Sequence, residues 1–208
     1  RATQWRTGQS VVHCSGATEV SALDHAKARG AITGGFHPLM AFADVPTALQ
    51  SLPGCTVAIE AQEPLAATLH DFAQRLQCTP LTLPPGARAL YHASAHYAGA
   101  FFNALLGEAA LMWRQFGATE AQALAALAPL ARSTLNNALA SSLTQSLPGV
   151  VSRGDVGTLQ KHLLALDALP ADVQALYCSL ALRNVPVAQA RGSITAQQAQ
   201  LLTELLGR

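Results

Sequence analysis

Three histidine-bearing segments of the chain carry side chains that could move a proton. His13 lies two residues before Ser15, His37 lies between two glycines and a proline, and His92 opens a long helical stretch. Imidazole titrates near neutral pH, so it can serve as a general acid or a general base. We predict that His37 and His92 are catalytic where the three segments converge.

The first segment ends a predicted strand, residues 10–13, and leads into a predicted helix, residues 19–29. Backbone N–H groups at such a junction, together with the hydroxyls of Ser15 and Thr18, suit a carboxylate or a phosphate. The alternative is that Ser15 and Thr18 only cap the helix. Spacing alone does not choose between the two interpretations.

The second segment places His37 directly before Pro38, which favours an extended backbone at the histidine. Ligands of open α/β sheets lie beyond the carboxyl ends of strands, so we expect His37 just past a strand over residues 31–36. Gly34 and Gly35 then form a strand-end turn and, lacking side chains, let another group come close to the backbone. They are not a dinucleotide fingerprint, because they follow a helix instead of preceding one. In the alternative interpretation, a hydrogen bond from His37 merely fixes the loop.

The third segment belongs to a single predicted helix over residues 87–116, in which a polar stripe interrupts apolar residues. At about 100° per residue, one side of this helix collects Arg88, His92, His96, Gly99 and Asn103. We predict that His96 and Asn103 bind the substrate; a solvated or structural face is the alternative. His92 and His96 could also bind a metal, but no H-E-x-x-H pattern or nearby carboxylate completes the ligand set, so no metal site is predicted.

Further polar groups stand out in the apolar second half of the chain. Arg132 and Asn137 share one predicted helix, residues 119–142, and Arg153 precedes another that begins at Asp155. Guanidinium groups bind carboxylates and phosphates in a bidentate manner. We predict that Arg132, Asn137 and Arg153 hold an anionic substrate. The alternative is that the arginines pair across a subunit boundary.

The composition of the 208-residue chain favours an oligomer. Half of the residues are hydrophobic and only 12% are charged, against about 25% in an ordinary soluble domain. So few charges leave much apolar surface on a monomer, so we predict a buried oligomer interface. We further expect the oligomer to be a homodimer that forms through the helical half. The net charge of +1 provides no field that would hold nucleic acid, which is therefore not an expected partner.

Membrane insertion and secretion are not expected either. No apolar run approaches the roughly 18–20 residues that span a bilayer. The four cysteines are scattered without a C-x-x-C pair, which is typical of a protein of the reducing cytoplasm. The chain opens with arginine instead of methionine and shows no signal-peptide pattern, so we expect it to begin inside a larger protein.

Strand and helix patterns alternate up to residue 84, and only helical patterns follow. Beyond the elements already named, we predict strands over 56–60 and 81–83 and helices over 64–77, 155–168, 171–183 and 195–206. In the helix over 64–77, the expected inward residues are Leu65, Leu69, Phe72, Ala73 and Leu76. The predicted fold class is therefore α/β over residues 1–84 followed by an all-α domain over residues 85–208.

Eight short motifs in order resemble one bacterial family, in which a Rossmann-like NAD(P)-binding domain precedes a helical domain of unknown function, number 2520. The motifs occupy residues 13–17, 35–39, 42–44, 58–60, 91–95, 135–137, 153–155 and 162–163. This family is similar to the 6-phosphogluconate dehydrogenase C-terminal-like superfamily. The resemblance implies an incomplete Rossmann-like sheet, with its N-terminal part absent, followed by the helical domain of that superfamily.

The resemblance also implies a cofactor, NADP or NAD, which His13, Ser15 and Gly16 would contact. The Gly-rich turn that opens such a domain does not occur in the sequence, so we expect it upstream of the first residue. In prephenate dehydrogenases, which are relatives, a Gly-Gly-His-Pro segment carries the catalytic histidine. A serine at an earlier strand end faces the substrate in those enzymes. Residues 35–38 and Ser15 are similar in order and context, although a phenylalanine intervenes before the histidine, and they imply the same catalytic roles for His37 and Ser15.

The expected activity is that of an NAD(P)-dependent oxidoreductase, which transfers hydride to or from a small, anionic metabolite. The alternative is a non-catalytic sensor of a dinucleotide or metabolite, or a dimerisation module. A sensor would bind its ligand without turnover.

Overall fold

A four-stranded mixed sheet organises the first half of the chain; the structure, a computed structural model, describes residues 5–207. The strands, in spatial order, are β1 (Ser10–His13), β2 (Ile32–Leu39), β3 (Thr56–Ala61) and β4 (Thr79–Thr82). β1 is parallel to β2, and β3 is parallel to β4, whereas β2 and β3 are antiparallel. All four predicted strands therefore form.

One face of this sheet packs against α3 (Leu65–Arg75). Leu65, Leu69 and Ala73 recur at a spacing of four residues and are buried, and they share an apolar cluster with Phe36, Val57 and Ile59 of the sheet. The prediction that Phe72 points inward is wrong, because its side chain lies beside this narrow stripe and is 51% exposed. Its ring still lies against Phe36, with 5.4 Å between the centroids.

The opposite face of the sheet carries the polar side chains. His13, Gly35 and Glu60 are paired across three neighbouring strands. Paired residues of adjacent strands project to the same side of a sheet, so this row presents an imidazole, a gap and a carboxylate side by side. His37 lies two residues beyond Gly35 in β2 and therefore projects to the same face.

The position predicted for His37, beyond the end of its strand, is wrong. His37 lies within β2 and is paired with Ala58 of β3, and Gly34 and Gly35 are interior strand residues instead of a turn. Glycine is present because the sheet is closely covered there. A Cβ on Gly34 would lie 3.1 Å from the side chains of both Ala61 and Leu65.

The helix predicted over residues 87–116 is two helices, α4 (Arg88–Ala98) and α5 (Ala100–Arg114). Gly99 separates them with backbone angles of φ −111° and ψ −94°, which lie outside the helical region. Glycine lacks the Cβ that would disfavour such angles. The predicted stripe therefore ends at His96, and Asn103 belongs to the next helix.

Two short helical segments also differ from the prediction. Residues 19–29 form a 3₁₀ turn, Val20–Leu23, followed by the short helix α1 (Asp24–Lys27). The helix α2 (Val45–Ser51) was not predicted, although the Asp44 carboxylate caps it by accepting a hydrogen bond from the Thr47 N–H at 2.9 Å.

The rest of the chain is helical, with α6 (Glu120–Ala140), a 3₁₀ turn (Val151–Arg153), α7 (Val156–Leu166), α8 (Ala171–Arg191) and α9 (Ala196–Leu206). Side chains of the last three helices form one core, which includes Leu159, Val185 and Leu202. α8 continues eight residues past its predicted end at 183 and contains Pro186. Its packing in this core offsets the cost of an interior proline.

The chain divides into two compact units, one ending at Ala104 and the other starting at Leu105. This division reflects where contacts are dense and does not test where one domain of the family ends and the next begins. The predicted domains over 1–84 and 85–208 therefore stay a prediction. Among residues 5–207, no helix is long and apolar enough to cross a membrane.

Candidate functional site

A buried ion pair lies at the centre of the polar face of the first unit. The Arg88 side chain is fully buried, and its Nε donates to the Glu60 carboxylate at 2.5 Å. Its Nη1 donates to the Ser15 carbonyl at 2.9 Å. The Glu19 carboxylate accepts hydrogen bonds from the backbone N–H groups of Gly86 and Arg88, both at 3.2 Å. These contacts join the start of α4 to β3 and to the segment after β1.

Gly35 leaves the space that the guanidinium occupies. A Cβ at this position would overlap the Arg88 guanidinium. The three heavy atoms nearest to that Cβ would be Nη2, Cζ and Nε of Arg88. The absent side chain therefore allows a fully extended arginine to lie on the middle of the sheet.

Gly16 likewise leaves space for neighbouring side chains, in this case the histidine rings. A Cβ on Gly16 would lie 2.5 Å from Cδ2 of His92 and 2.8 Å from Nε2 of His37. Both rings therefore contact the backbone of the segment that follows β1. The structure thus brings together Gly16, His37 and His92, which the sequence analysis had singled out separately.

Tyr91 fixes the other side of the His37 ring. The Tyr91 hydroxyl lies 3.0 Å from His37 Nδ1, and the two rings meet edge to face with 5.7 Å between their centroids. With Nδ1 engaged by the phenol, Nε2 is the nitrogen that faces Gly16. His37 is therefore held at one nitrogen and free to act at the other.

The remaining histidines of α4 continue from His37 in a row. The ring centroids of His37 and His92 are 6.1 Å apart, and those of His92 and His96 are 4.9 Å apart. His96 Nδ1 lies 3.1 Å from the His92 carbonyl oxygen, so it donates to that carbonyl, and its ring contacts Phe101. All three rings are half-buried.

In and around the segment after β1, some polar groups form hydrogen bonds and others have no partner. The Ser15 hydroxyl donates to the Thr18 hydroxyl at 2.8 Å and accepts from the Thr18 N–H at 3.1 Å, and the Ser15 N–H donates to His13 Nδ1 at 3.2 Å. The turn-forming role of Ser15 and Thr18 is therefore present. Two buried nitrogens, Nε2 of His13 and Nη2 of Arg88, have no hydrogen-bond partner among residues 5–207.

The environment lowers the pKa of two of these histidines below the usual 6.5. Burial is the main cause for both His13 and His37, because it penalises the charged imidazolium. The positive charge of Arg88 adds to the effect at His13, and His92 and then Arg88 add to it at His37. Burial also raises the pKa of Tyr91, which therefore stays a neutral phenol.

A cavity of about 930 Å³ borders the ion pair without containing the histidines. Its acidic lining consists of Glu19, Asp24, Glu60 and Glu63, and Lys27 is its single cation among the described residues. Such a lining repels phosphate and carboxylate groups. The cavity is therefore a poor site for an anionic cofactor or substrate.

The other predicted site residues lie outside this cluster. Asn103 is exposed on α5, and Arg132, Asn137 and Arg153 are exposed in the second unit. Their predicted roles in substrate binding stay predictions. Among residues 5–207, no group of three histidine, cysteine, aspartate or glutamate side chains is placed to hold a metal ion.

Sequence reasoning missed two members of the cluster, Glu60 and Tyr91, as functional residues. Glu60 follows three buried apolar residues of β3, Val57, Ala58 and Ile59, so a carboxylate at the end of such a run was a detectable signal for a buried charge partner. Tyr91 had no comparable signal, since only the three-dimensional structure shows that it meets His37.

The sequence profile of one family, a domain of unknown function named DUF2520, matches residues 55–184, which are 130 of the 208 residues. The chain belongs to that family. The resemblance to this family that the sequence motifs indicated is therefore confirmed. No functionally curated protein matches the chain.

Solved structures similar to the DUF2520 chain show its fold. Protein TM1727 from Thermotoga maritima is 22% identical, with a TM-score of 0.71, over 86% of this chain and 68% of that one. The candidate NADP oxidoreductase BF3122 from Bacteroides fragilis is 21% identical, with a TM-score of 0.66, over 83% of this chain and 63% of that one.

A reductive aminase from Aspergillus terreus, solved with NADPH and ethyl-5-oxohexanoate, is 16% identical, with a TM-score of 0.51, over 99% of this chain and 66% of that one. The DUF2520 chain thus spans about two thirds of the length of these structures. The predicted fold class, a Rossmann-like sheet followed by a helical domain, is confirmed.

The lowered histidine pKa values make the stability of the DUF2520 chain depend on pH. Below about pH 6.5 the unfolded chain binds protons that the folded chain binds only at lower pH, so the free energy of unfolding falls as the solution is acidified. We expect urea denaturation to show lower stability at about pH 5.5 than at about pH 7.5, and we expect His37→Asn to weaken this difference. The control is His25→Asn, which replaces an exposed histidine of α1. This variant should show the same difference in stability between the two pH values as the wild type. An equal pH dependence in the wild type and His37→Asn would contradict this explanation.

The contact between Gly35 and Arg88 predicts a large effect of one methyl group. Gly35→Ala displaces the guanidinium from its buried carboxylate, and we expect a loss of about 3 kcal/mol in the free energy of unfolding, measured with urea. Gly107→Ala is the matched control, because a Cβ on this α5 residue meets no atom within 4 Å. It should raise stability by about 0.5–1 kcal/mol. Equal effects of the two substitutions would show that Gly35 does not accommodate Arg88.

Proposed function

We propose that this chain is part of an NAD(P)-dependent oxidoreductase that transfers hydride between the nicotinamide and the carbon of a carbonyl, imine or alcohol. The fold shared with a candidate NADP oxidoreductase and with a reductase solved with NADPH supports the class of reaction. The observation that carries the proposal is the position of His37, whose Nε2 lies against Gly16 while Tyr91 occupies its Nδ1.

The cofactor would contact the segment that includes His13, Ser15 and Gly16. This segment fits a polar ligand, since the buried Nε2 of His13 has no partner among the described residues. When bound, the nicotinamide supplies or accepts the hydride. NADP and NAD both fit this proposal, because the residues that distinguish the ribose phosphate lie in another part of such domains.

His37 is the proposed proton carrier. Its lowered pKa makes the ring neutral at pH 7, and the neutral phenol of Tyr91 donates to Nδ1 in the proposed tautomer. The ring proton then lies on Nε2, directed at the Gly16 segment. In the reducing direction, Nε2 gives this proton to the substrate oxygen or nitrogen, and Tyr91 supplies a proton to Nδ1. Solvent then returns a proton to Nε2 while Nδ1 gives its proton back to the Tyr91 oxygen, which restores the starting tautomer and the phenol. The reverse transfers serve oxidation.

His92 and Ser15 complete the proposed catalytic groups, and the substrate would be small and anionic. His96 continues the row of imidazoles at the edge of the cluster, and Asn103, Arg132, Asn137 and Arg153 remain the proposed groups for binding the anion. The exposed guanidinium groups of Arg132 and Arg153 can bind a carboxylate in a bidentate manner.

We also propose that two copies of the chain associate through α6. Only Ala123 of this 21-residue helix is buried among the described residues, whereas Leu130, Leu135 and Leu139 are 60%, 59% and 77% exposed. Leucines this exposed on a helix with so few buried residues are typical of an oligomer interface. The low charge content of the chain also favours a second copy as the partner.

Binding and turnover test the oxidoreductase proposal separately. The protein encoded by the complete gene is titrated with NADPH and NADH by fluorescence, and NADPH oxidation is then followed with a panel of carbonyl and imine compounds. We expect saturable binding and turnover of at least one compound. His37→Asn should lower kcat by about 10²–10⁴-fold, since it removes the proton carrier, and leave the dinucleotide affinity unchanged.

The control for this experiment is His25→Asn, which changes an exposed histidine away from the cluster. Full activity of His37→Asn would remove His37 from the mechanism. Dinucleotide binding without turnover of any compound would instead support the sensor, and absence of binding would contradict both functions.

The proposed dimer predicts a change of mass in solution. Light scattering of the wild type should give twice the mass of one chain, and Leu139→Glu should shift it toward one chain, because the carboxylate would be buried at the interface. Leu49→Glu is the control, since this leucine of α2 is 65% exposed in the other unit. A monomeric wild type would contradict the dimer.

A further inference from the structure

Two of the four cysteines face each other at one end of the sheet. Cys55 directly precedes β3, and Cys78 directly precedes β4, and the first residues of these parallel strands are paired. The Thr79 N–H donates to the Cys55 carbonyl at 2.8 Å, and the Gly54 N–H donates to the Gln77 carbonyl at 2.7 Å. Because backbone hydrogen bonds flank the pair on both sides, the two cysteines lie about one strand spacing apart, roughly 4.8 Å.

The two thiols are in contact. The Cys55 thiol donates to Cys78 Sγ at 3.7 Å, and the Cys78 thiol donates to the Leu52 carbonyl at 3.2 Å. A disulfide needs Cα atoms about 4.4–6.8 Å apart, a range that includes the spacing of neighbouring strands. The sulfurs can therefore reach bonding distance by rotation of the side chains, without separation of the strands.

The other two cysteines have no such neighbour. Cys14 is exposed in the segment after β1, and Cys178 lies on α8 in the second unit. All four cysteines belong to the described part of the chain, and within it the hydrogen-bonded pair of thiols is Cys55 and Cys78.

We propose that Cys55 and Cys78 form a reversible disulfide when a small-molecule disulfide, such as oxidised glutathione, reacts with the protein. Cys55 is half-buried and Cys78 is buried, so the Cys55 thiolate attacks the oxidant and releases one glutathione thiol. The Cys78 sulfur then attacks the mixed disulfide at Cys55 and releases the second glutathione. The protein loses two protons and two electrons, and the oxidant becomes two thiols.

The reaction is slow at neutral pH. Burial, with a smaller contribution from Cys78, raises the pKa of the Cys55 thiol to about 11, so the thiolate fraction is small. The titratable groups that interact with this thiol are Cys78 opposite it and the Tyr91 phenol. The raised pKa of Tyr91 keeps this phenol neutral at neutral pH, so it does not stabilise a thiolate.

The bond would stabilise the sheet without disturbing the histidine cluster. Cys55 precedes Glu60 by five residues, which is roughly 16 Å along an extended strand. The closed loop between Cys55 and Cys78 contains β3 and α3, so the link restrains the unfolded chain over one strand and one helix. This inference is independent of the proposed oxidoreductase function.

Peptide mapping tests the proposal. The protein is incubated with oxidised glutathione at about pH 8.5, which raises the thiolate fraction; free thiols are then alkylated and the chain is cut with trypsin. Cys55 lies in the fragment over residues 30–75 and Cys78 in the fragment over residues 76–88. We expect these two fragments to be joined, to separate on reduction, and the oxidised protein to melt about 5–10 °C higher than the reduced protein.

Variants show whether the pairing is specific. The double variant Cys14→Ser/Cys178→Ser should form the link as the wild type does, whereas Cys78→Ser should stop at glutathione attached to Cys55. The proposal is overturned if Cys55 and Cys78 are both still alkylated while Cys14 carries glutathione. It is also overturned if the link includes Cys14 or Cys178, or if the oxidised protein melts below the reduced one.

Discussion

The ion pair between Arg88 and Glu60 determines where the histidine cluster forms. Arg88 begins α4, so a guanidinium fixed on the sheet also fixes the first turn of that helix. Tyr91 and His92 follow three and four residues later, which places them one turn further along the same side of the helix. That side meets His37 and the backbone of Gly16. The reactive ring and its hydrogen-bond partner therefore depend on a contact that does not itself include them.

This ion pair contributes more to geometry than to stability. Removing two charges from water costs several kcal/mol each, and their mutual attraction returns that energy only when hydrogen bonds engage most of the polar atoms. Here the Ser15 carbonyl accepts from one guanidinium nitrogen, whereas Nη2 has no partner within residues 5–207. An apolar pair could fill the same volume, but it would not specify the direction from which α4 meets the sheet.

The sequence predicted local patterns well and long-range contacts poorly. Helical periodicity correctly placed Arg88, His92 and His96 on one side of a helix, because a spacing of four residues determines that side wherever the helix lies. The break at Gly99 depends on one residue with unusual backbone angles, which periodicity does not detect. His37 was misplaced because a Gly-Gly pair before His-Pro is typical of a turn. The glycines were correctly expected to let another group approach the backbone. The sequence could not name Arg88 and Leu65 as those groups, because both reach the glycines from helices distant in sequence.

The fit between Gly35 and Arg88 also restricts how relatives of this chain can change. An alanine at position 35 and an arginine at position 88 exclude each other, and a shorter residue at 88 would leave the carboxylate of Glu60 buried without its partner. A side chain at position 35 therefore requires a change at position 88, and a shorter residue at position 88 requires a change at position 60. The residues at these three positions should therefore co-vary across the family, although they are separated by up to 53 positions in the chain.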